Sequence, residues 1–238
     1  VAFRFQLFLT DTCLDKVYLY QLSNYNKVVL QRNKLLKELY LHPDYREVLD
    51  VLDMQLVQYG SALIQRRQTF AEELGEIVHR IHSQLSGGQE EMELKYEPNV
   101  TVDAFAQMLF ANRERDMRLK TTATGPHRDD ISFVVNGVDI RKFGSQGQQR
   151  TAALSLKLSE IELVKRLIGD TPVLLLDDVL SELDSGRQNY LLNSIENIQT
   201  LITCTGLDEF VNHRFSINRI YKVTDGSVTV ENKQEEDR

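Results

Sequence analysis

Apolar residues recur at spacings of three and four over the first third of the chain. They predict a helix over residues 14–39, which His42 and Pro43 end because proline cannot continue the helical hydrogen-bond ladder. A second helix is predicted over residues 44–85, where one apolar row repeats every seven residues and a companion row drifts. That row consists of Leu49, Leu56, Leu63, Phe70 and Ile77. Such drift is typical of a straight helix, so we predict an antiparallel hairpin, or arm, of about 40 residues per helix.

The pattern changes after the turn at residues 86–88. Alternating apolar positions at Met92, Leu94 and Tyr96 predict a half-buried strand, and Asn136-Gly137 predicts a hairpin turn. Further helices are predicted over residues 102–119, 148–168 and 185–195. Further strands are predicted over residues 131–135, 138–140, 173–176, 201–204, 220–224 and 228–230. The continuous apolar character of residues 173–176 predicts burial on both faces, and the order strand, helix, strand indicates an α/β fold.

Composition and charge limit the classes of function. The 238 residues are 42% hydrophobic and carry a formal charge of −7, which argues against a uniformly basic surface but leaves room for a local basic face. No apolar run approaches the about 20 residues of a membrane span, and no signal peptide opens the chain. Cys13 and Cys204 do not indicate a disulfide framework. We predict a cytoplasmic protein without membrane contact, and a piece of a longer one because Val1 stands where methionine is expected.

The strongest chemical signal is a predicted buried strand that ends in two carboxylates, Asp177 and Asp178. A carboxylate at the carboxyl end of a central strand lies where phosphates bind in open α/β sheets, and it can hold Mg²⁺ through the water shell of the ion. The second carboxylate is placed to polarise a water for attack on a terminal phosphate. This is the Walker B arrangement. The alternative interpretation is a strand that simply runs into an acidic loop.

A second signal lies at the predicted start of the helix that precedes this strand. Small and amide-bearing residues from Ser145 to Gln149 would present free backbone N–H groups at a helix amino terminus, a surface that favours phosphate. An acidic loop, residues 181–184, follows the strand. This order is that of the carboxyl-terminal lobe of ABC-type ATPase heads.

The run from Leu85 to Gln89 spells the ABC signature, but it follows a long helix and precedes a predicted strand. A signature helix leads almost directly into the Walker B strand, whereas this run lies far upstream of Asp177. We therefore interpret it as a helix end in which glycine accepts the left-handed conformation.

Several motifs together resemble the RecF family, bacterial recombination mediators related to the SMC-type ATPases. They are the runs 25–27, 31–36, 125–130, 145–150 and 174–184. The similarity extends from residue 14 to residue 205. The combination is much more specific than any one motif.

The resemblance implies a fold and site roles. The fold would be the carboxyl-terminal lobe of an α/β ABC-type ATPase head, lacking the Walker A segment, with an α-helical arm (lobe II). Asp177 would hold Mg²⁺ through water, Asp178 would polarise the attacking water, and Asp184 would belong to the D-loop at a dimer seam. The signature that meets the γ-phosphate of ATP held by a second copy would be Ser145, Gln146, Gly147, Gln148 and Gln149.

Two departures from the family pattern change these expectations. Thr203, Cys204 and Thr205 stand where ABC-type heads usually place a histidine, so γ-phosphate sensing by histidine is in doubt. No GxxxxGK[ST] motif occurs in these residues. Without its backbone cradle and lysine, this chain alone is not expected to hydrolyse ATP, and a weak DNA-dependent ATPase activity is expected only of the full-length dimer.

The resemblance also divides the chain into five segments. They are a remnant of ATPase lobe I (1–12), the helical arm (13–88), a linking strand and helix (89–124), the carboxyl-terminal ATPase lobe (125–230) and a charged tail (231–238).

The function implied by the resemblance is recombinational DNA repair. An ATP-dependent homodimer would bind gapped DNA and single-strand/double-strand junctions, and would assist the loading of RecA together with RecO and RecR. The alternatives are a bridging head of the SMC type and a protein-interaction module with little ATPase activity. An arm of roughly 60 Å argues against the long-armed SMC members.

Charged clusters outside these motifs stay open to two interpretations. The basic stretch of Arg113, Arg115, Arg118 and Lys120 contacts DNA phosphates in one of them and is a solvated helix face in the other. Arg66 and Arg67 are ambiguous in the same way. The run from His127 to Asp130 either positions the lobe against the nucleotide or forms a structural network. His79 and His82 share a helical face but lack a third ligand, so no metal site is expected there.

Overall fold

The structure is a computed structural model that describes residues 15–39, 44, 46–180, 183–205 and 218–231. The chain divides into two compact units, Val1–Thr171 and Pro172–Arg238. The predicted segment 1–12 and tail residues 232–238 lie outside the described residues. The boundary between the units falls inside the predicted segment 125–230, and the five-segment division stays a prediction.

The predicted helical hairpin is present in the first unit. Helix α1 is Lys16–Glu38 and helix α2 is Arg46–Leu85. The hydroxyl of Tyr18, near the start of α1, contacts Arg67, whereas Arg32, near its end, contacts Asp53, so the two helices are antiparallel. The expectation of about 40 residues per helix is wrong for α1, which has 23 residues. Its buried face matches only the first half of the 40-residue α2.

The seven-residue row of α2 is buried along its whole length, as its periodicity predicts. The first half of α2 packs against α1 and against helix α3, Val102–Ala111. The second half packs against strand β1, Met92–Glu97, and against helix α6, Gln146–Ile168. Helix α2 therefore forms part of the arm with its first half and packs against α6 with its second half.

A small antiparallel sheet continues this unit. Its order is β1, β2 and β3, where β2 is Asp130–Val135 and β3 is Val138–Asp139. Met92 pairs with Val135 and Glu97 with Asp130. Asn136 (φ 48°) and Gly137 (φ 82°) form the predicted hairpin turn, whose two positive φ angles favour this residue pair. The short helix α5, Ile140–Phe143, leads from β3 to α6.

The predicted helix over residues 102–119 is interrupted, which corrects that expectation. Helix α3 ends at Ala111 and helix α4 is Arg113–Leu119. The intervening Asn112 uses its side-chain amide to bond the hydroxyl of Thr124 at 2.9 Å. The break was not visible in the sequence because apolar spacing continues through it, and the Thr124 contact is tertiary.

The run from Leu85 to Gln89 is the helix end that the sequence predicts. Gly88 N donates to Ser83 O at 2.7 Å and Gly87 N to Gln84 O at 3.3 Å, the two bonds of a Schellman motif. Gly87 has φ 64°, the left-handed conformation that a residue with a Cβ rarely adopts.

The second unit contains two separate two-stranded sheets in its described part. Strands β4, Leu174–Asp177, and β5, Thr200–Thr203, pair in parallel, and helix α7, Ser185–Ser194, connects them. Strands β6, Ile220–Thr224, and β7, Ser227–Glu231, form an antiparallel hairpin.

The expectation that residues 173–176 are buried on both faces is wrong for this chain. Of the four residues of β4 only Leu176 is buried, and Leu175 is 73% exposed. Within the part of the chain that the structure describes, β4 pairs only with β5. A strand is buried on both faces only where helices or a second layer cover its sheet, and here Val173 and Leu175 are exposed although the sequence is that of a central strand. Among the described residues, no helix is long and apolar enough to cross a membrane.

Candidate functional site: the start of α6 and the end of β4

The start of α6 is built as an exposed helix amino terminus. Ser145 is its N-cap: Ser145 Oγ accepts from Gln148 N at 3.2 Å, and Gln148 Oε1 accepts from Ser145 N at 3.0 Å. This reciprocal capping box fixes the first turn. Gln149 Nε2 donates to Ile140 O at 3.0 Å, which ties the turn to α5. Ser145, Gln146 and Gly147 are all exposed. The predicted signature residues therefore share one surface with a defined backbone.

Gly147 has no packing requirement in this turn. A Cβ built there would meet only Ser145 Oγ, at 3.9 Å, an ordinary van der Waals distance. Glycine within a helix costs about 1 kcal/mol relative to alanine. The fold thus accepts glycine where alanine would be more stable, which is expected if another molecule approaches this backbone.

The predicted Walker B carboxylates stand at the carboxyl end of β4. Asp177 is the last residue of the strand, and its Oδ1 accepts from Thr203 Oγ1 at 2.5 Å. Asp178 has φ 50°, and its N–H donates to Thr203 O at 3.2 Å and to Thr203 Oγ1 at 3.1 Å. Thr203 therefore holds both residues. Thr203 is one of the residues that replace the histidine usual in ABC-type heads, and its bonds to Asp177 and Asp178 were not predicted from the sequence.

This end of β4 fits Mg²⁺ in its donor chemistry. Asp177 is exposed, and it and Thr203 offer carboxylate and hydroxyl oxygens, the ligand type that Mg²⁺ selects while it keeps most of its waters. Among the described residues, no cluster of three or more His, Cys, Asp or Glu side chains forms a complete metal cage. A hydrated ion held by one carboxylate does not need such a cage.

Asp184 is the N-cap of α7. Its Oδ1 accepts from Arg187 N at 3.0 Å and its Oδ2 from Arg187 Nη1 at 2.6 Å. The backbone N–H of Arg187 is the main reason why the pKa of Asp184 lies below its usual value. Capping gives Asp184 a structural role besides the predicted seam role. Ser181 and Glu182 of the same acidic loop lie outside the described residues.

The predicted basic stretch separates into two kinds of residue. Arg113 contacts Asp53 at 2.7 Å and Asp50 at 2.5 Å, and its guanidinium lies 4.8 Å from the ring centre of Phe110. It is therefore a half-buried ion-pair residue, and its predicted contact with DNA stays a prediction. Arg115, Arg118 and Lys120 are exposed.

Arg115 and Arg128 line a cleft of about 420 Å³. By its position in the sequence, Arg128 is grouped with the run from His127 to Asp130 and not with the basic stretch. The other lining residues are Asn99, Leu119, Thr121 and Ala123. Within the described part of the chain, neither arginine lies in an ion pair with a carboxylate. Arg128 Nη2 donates to Thr122 O at 3.4 Å.

His127 and Asp129 belong to a structural network, in agreement with one of the two interpretations of the run 127–130, whereas Arg128 lines the cleft. Asp129 is fully buried and accepts from Arg67 Nη1 at 2.9 Å, from Asn99 N at 2.9 Å and from the hydroxyl of Tyr96. Arg67 also donates to Pro126 O at 2.6 Å. Burial, followed by the nearby charge of Asp129, raises the pKa of Tyr96 above its usual range.

His127 is a neutral link in the same network. Its Nε2 faces Thr122 O at 2.9 Å, so this nitrogen carries the proton, and its Nδ1 accepts from Tyr25 Oη at 2.7 Å. Burial lowers the pKa of His127, which favours this neutral form. The neighbouring Gly125 (φ 133°) is required, since a Cβ there would lie 2.3 Å from Tyr25 Oη.

The remaining sequence candidates also have structural partners. Arg66 pairs with Asp15 at 3.4 Å, and the buried Arg67 belongs to the Asp129 network. His79 Nδ1 lies 3.3 Å from Met92 O. His82 Nε2 lies 3.2 Å from Glu90 Oε2, a contact that spans eight residues and that the sequence did not indicate.

Comparison with known proteins identifies the family. No family model matches the chain. The DNA replication and repair protein RecF of Lachnospira eligens is 58% identical over 221 residues, which are 92% of this chain and 61% of the relative. RecF of Agathobacter rectalis is also 58% identical, over 91% of this chain and 60% of the relative. The matched segment belongs to the RecF family. The chain spans about three fifths of the length of these curated relatives.

Solved RecF structures agree with this assignment. The recombination mediator protein RecF-ATP in the RecFOR pathway matches with a TM-score of 0.83 and 33% identity, over 95% of this chain and 62% of that one. The RecF-ATPrS structure gives a TM-score of 0.82 at the same identity, over 94% and 62%. The predicted fold class, an α/β ABC-type ATPase head with a helical arm, is confirmed by the match to RecF.

Several motif residues that carried the RecF resemblance serve the fold. Tyr25 bonds His127, and Arg32 is buried between Asp53 and Asp116. Asn33 Oδ1 accepts from Thr122 N at 2.7 Å. These motif residues therefore mark RecF architecture and do not by themselves locate a nucleotide site.

Proposed function

We propose that this chain supplies the signature half-site and the Walker B carboxylates of a RecF-type ATP-dependent homodimer that works in recombinational DNA repair. In this proposal the start of α6 closes over ATP held by a second copy. The closed dimer binds gapped DNA and single-strand/double-strand junctions in the cytoplasm, and acts with RecO and RecR to load RecA. Hydrolysis opens the dimer and releases the DNA.

The observation that carries the proposal is the arrangement at the start of α6. Ser145, Gln146 and Gly147 are exposed on a capped helix terminus, and Gly147 leaves its backbone accessible without a packing reason. Backbone N–H groups and the positive end of the helix dipole favour an anion at such a place. The 33% identical RecF-ATP structure supports ATP as that anion.

The end of β4 would supply the chemistry of hydrolysis. Asp177 would hold a hydrated Mg²⁺, which neutralises charge that develops on the phosphates. Asp178 would orient the attacking water. Thr203 holds the carboxylate of Asp177 through its hydroxyl, and it holds the backbone N–H of Asp178 through its hydroxyl and carbonyl oxygens. Asp184 would stand at the dimer seam, where its capping bond to Arg187 fixes the start of α7.

The arginine cleft is the proposed contact for the DNA backbone. In each of the adjacent pairs Arg115-Asp116 and Arg128-Asp129, the aspartate is buried and bonds an inner arginine, while the arginine lines the cleft. The cleft therefore has positive charge without adjacent exposed carboxylates from these pairs, although the chain as a whole is acidic. Arg118 and Lys120 are exposed in the same chain segment as Arg115, and guanidinium groups bind phosphate in bidentate geometry.

The test of the dimer is Ser145→Arg in a full-length RecF-family protein that carries this segment. A long cation at the N-cap blocks close approach of a second copy, and loss of the Ser145 Oγ cap lowers the stability of the fold by only about 1 kcal/mol. We expect wild-type protein to dimerise with ATP in light scattering and the variant to remain monomeric, with only a small decrease in the temperature of thermal unfolding. A control substitution, Met54→Arg, introduces the same cation at a side chain in the first half of α2 that is 73% exposed. ATP-dependent dimers of the Ser145 variant at wild-type strength would overturn the proposal.

A further inference from the structure

The carboxylate of Glu90 joins the end of the long helix α2 to the start of α6. Its Oε1 accepts from Gln148 Nε2 at 2.9 Å, and its Oε2 lies 3.2 Å from His82 Nε2. Gln148 is the residue whose other amide atom closes the capping box on Ser145 N. The Gln148 side chain is therefore held at both ends, by its own helix cap and by Glu90.

The partner on the other side of Glu90 is rigid. His82 is fully buried in α2, and its Nδ1 lies 3.0 Å from Ser155 Oγ of α6. Ser155 Oγ donates its proton to Thr151 O at 2.7 Å, so it accepts from His82. Both ring nitrogens thus face acceptors, and a ring that carries a proton on each nitrogen donates to Ser155 and Glu90 together.

The backbone of Glu90 is fixed by the Schellman turn that spells the misleading signature. Glu90 N donates to Ser86 Oγ at 3.2 Å, and Ser86 Oγ in turn lies 3.3 Å from Glu90 O. The left-handed glycines of this turn reverse the chain at the end of α2 so that residue 90 can reach α6. The turn therefore positions Glu90 next to α6, although it is not the ABC signature that its sequence resembles.

We infer that Glu90 is a positioning residue for the signature segment. Its carboxylate, braced by His82 of the arm helix, holds Gln148 in the rotamer that completes the cap and presents Ser145, Gln146 and Gly147 in one arrangement. This inference rests on the proposed function, in which that segment meets nucleotide held by a second copy. Glu90 itself touches no nucleotide and acts through Gln148.

The first test compares three variants of a full-length RecF-family protein that carries this segment. Glu90→Ala removes the hold on Gln148, and we expect ATP-dependent dimers to weaken about tenfold, the scale of one lost hydrogen bond to a charged group. Glu90→Gln can still accept from Gln148 through its amide oxygen, while its amide group donates to a neutral His82. We therefore expect this variant to recover dimerisation to within about threefold of wild type. Glu91→Ala is the matched control, because the Glu91 side chain is exposed and the bonds of this residue to Asn136 are made by its backbone: its N–H donates to Asn136 Oδ1 and its C=O accepts from Asn136 N.

The second test separates positioning from general stability. ATP affinity of the monomer and thermal unfolding are measured beside dimerisation, since nucleotide held by the same subunit does not depend on its own signature segment. A Gln148→Ala background completes a double-mutant cycle. If Glu90 acts through Gln148, adding Glu90→Ala to this background weakens dimers no further.

The outcomes distinguish failure of the positioning role of Glu90 from failure of the proposed ATP-dependent dimer. Dimers of Glu90→Ala at wild-type strength, or additive losses in the cycle, overturn the positioning role while Ser145→Arg can still abolish dimerisation. If neither Ser145→Arg nor Gln148→Ala affects ATP-dependent dimers, the proposed function itself fails. A loss of dimers that merely follows a loss of thermal stability, and that Glu90→Gln does not recover, also overturns the inference.

Discussion

Two groups of arginines in the amino-terminal unit meet opposite environments. Arg32 and Arg67 are buried, and each is bonded to buried aspartate: Arg32 to Asp53 and Asp116, Arg67 to Asp129. Arg115 and Arg128 are exposed and line one cleft. The two groups are linked through the chain, because Asp116 and Asp129, which bond the buried arginines, immediately follow the exposed arginines.

The difference shows how the same residue type serves stability in one place and recognition in the other. A buried guanidinium is tolerated only when carboxylates and hydroxyls satisfy it, and the fold is then constrained to bring those groups together. An exposed guanidinium without a carboxylate partner contributes little to stability and remains free to bind an anion. The motif residues that resemble RecF include the buried Arg32. A family-specific residue therefore does not by itself mark a binding or catalytic site.

The largest expected effect is on the buried group. Arg32→Ala leaves Asp53 and Asp116 without their shared cation, and Asp116 is fully buried. We expect the free energy of unfolding to fall by about 3 to 5 kcal/mol, the cost of removing one partner of a buried ion pair. Urea denaturation followed by circular dichroism measures it.

The matched control for Arg32→Ala is Arg166→Ala. Arg166 pairs with Glu162 four residues earlier on the exposed surface of α6. We expect a loss of about 0.5 kcal/mol or less, as for other exposed pairs of this spacing. Equal losses in the two variants would contradict the distinction between buried and exposed arginines.

The next effect concerns the exposed group. In a full-length RecF-family protein that carries this segment, replacing Arg115 and Arg128 together by glutamine should reduce the affinity for gapped duplex DNA about tenfold. The slope of log affinity against log salt should fall by about 2, since each lost phosphate contact removes about 0.9. The free energy of unfolding should stay within about 0.5 kcal/mol.

The control for the cleft is again Arg166, here as Arg166→Gln, an exposed cation outside the cleft. Its DNA affinity and salt slope should equal those of the wild type. A double variant of Arg115 and Arg128 with an unchanged salt slope would show that DNA phosphates do not enter the cleft, whatever the dimer does with ATP.

The smallest expected effect is a change in the pH dependence of the unfolding free energy, which arises from His127 in the buried network. Burial lowers the pKa of His127 below its ordinary 6.5, so the unfolded chain takes up the proton first as pH falls. The stability that neutral His127 contributes is present above pH 6.5 and is lost as pH falls below that value through the folded pKa. His127→Gln, which cannot be protonated, should show a shallower loss of unfolding free energy between pH 7 and pH 5 in urea titrations. Identical slopes for both proteins would contradict the neutral link to Tyr25.

Much of the helical part of the fold could be predicted because its signals are local. The seven-residue row of α2, the proline after α1 and the Asn136-Gly137 turn each determine nearby backbone geometry. The start of α6 could be predicted for the same reason, since Ser145 and Gln148 are only three residues apart. The Leu85–Gln89 run was interpreted correctly because its position at the end of a long helix outweighed its spelling.

The rest depends on contacts between distant residues, which no single-sequence pattern contains. The ion pairs of Arg113 could not be predicted, because its partners, Asp50 and Asp53, lie some sixty residues earlier in the chain. Arg128 and Arg115 share a cleft only through the fold, and Glu90 reaches Gln148 across 58 residues. The exposed β4 shows a related limit, since burial of a strand depends on the elements that pack on the faces of its sheet and not only on its own apolar residues.

In our proposal the exposed start of α6 makes DNA binding dependent on ATP, whereas the buried arginines stabilise the fold. The most direct test of this proposal is the affinity for gapped duplex DNA of a full-length RecF-family protein that carries this segment, measured with and without ATP for the wild type and for Ser145→Arg at two salt concentrations. We predict that ATP strengthens binding by the wild type and leaves the variant unchanged at both concentrations. Equal binding in all four combinations of protein and nucleotide would contradict the account and favour a protein-interaction module.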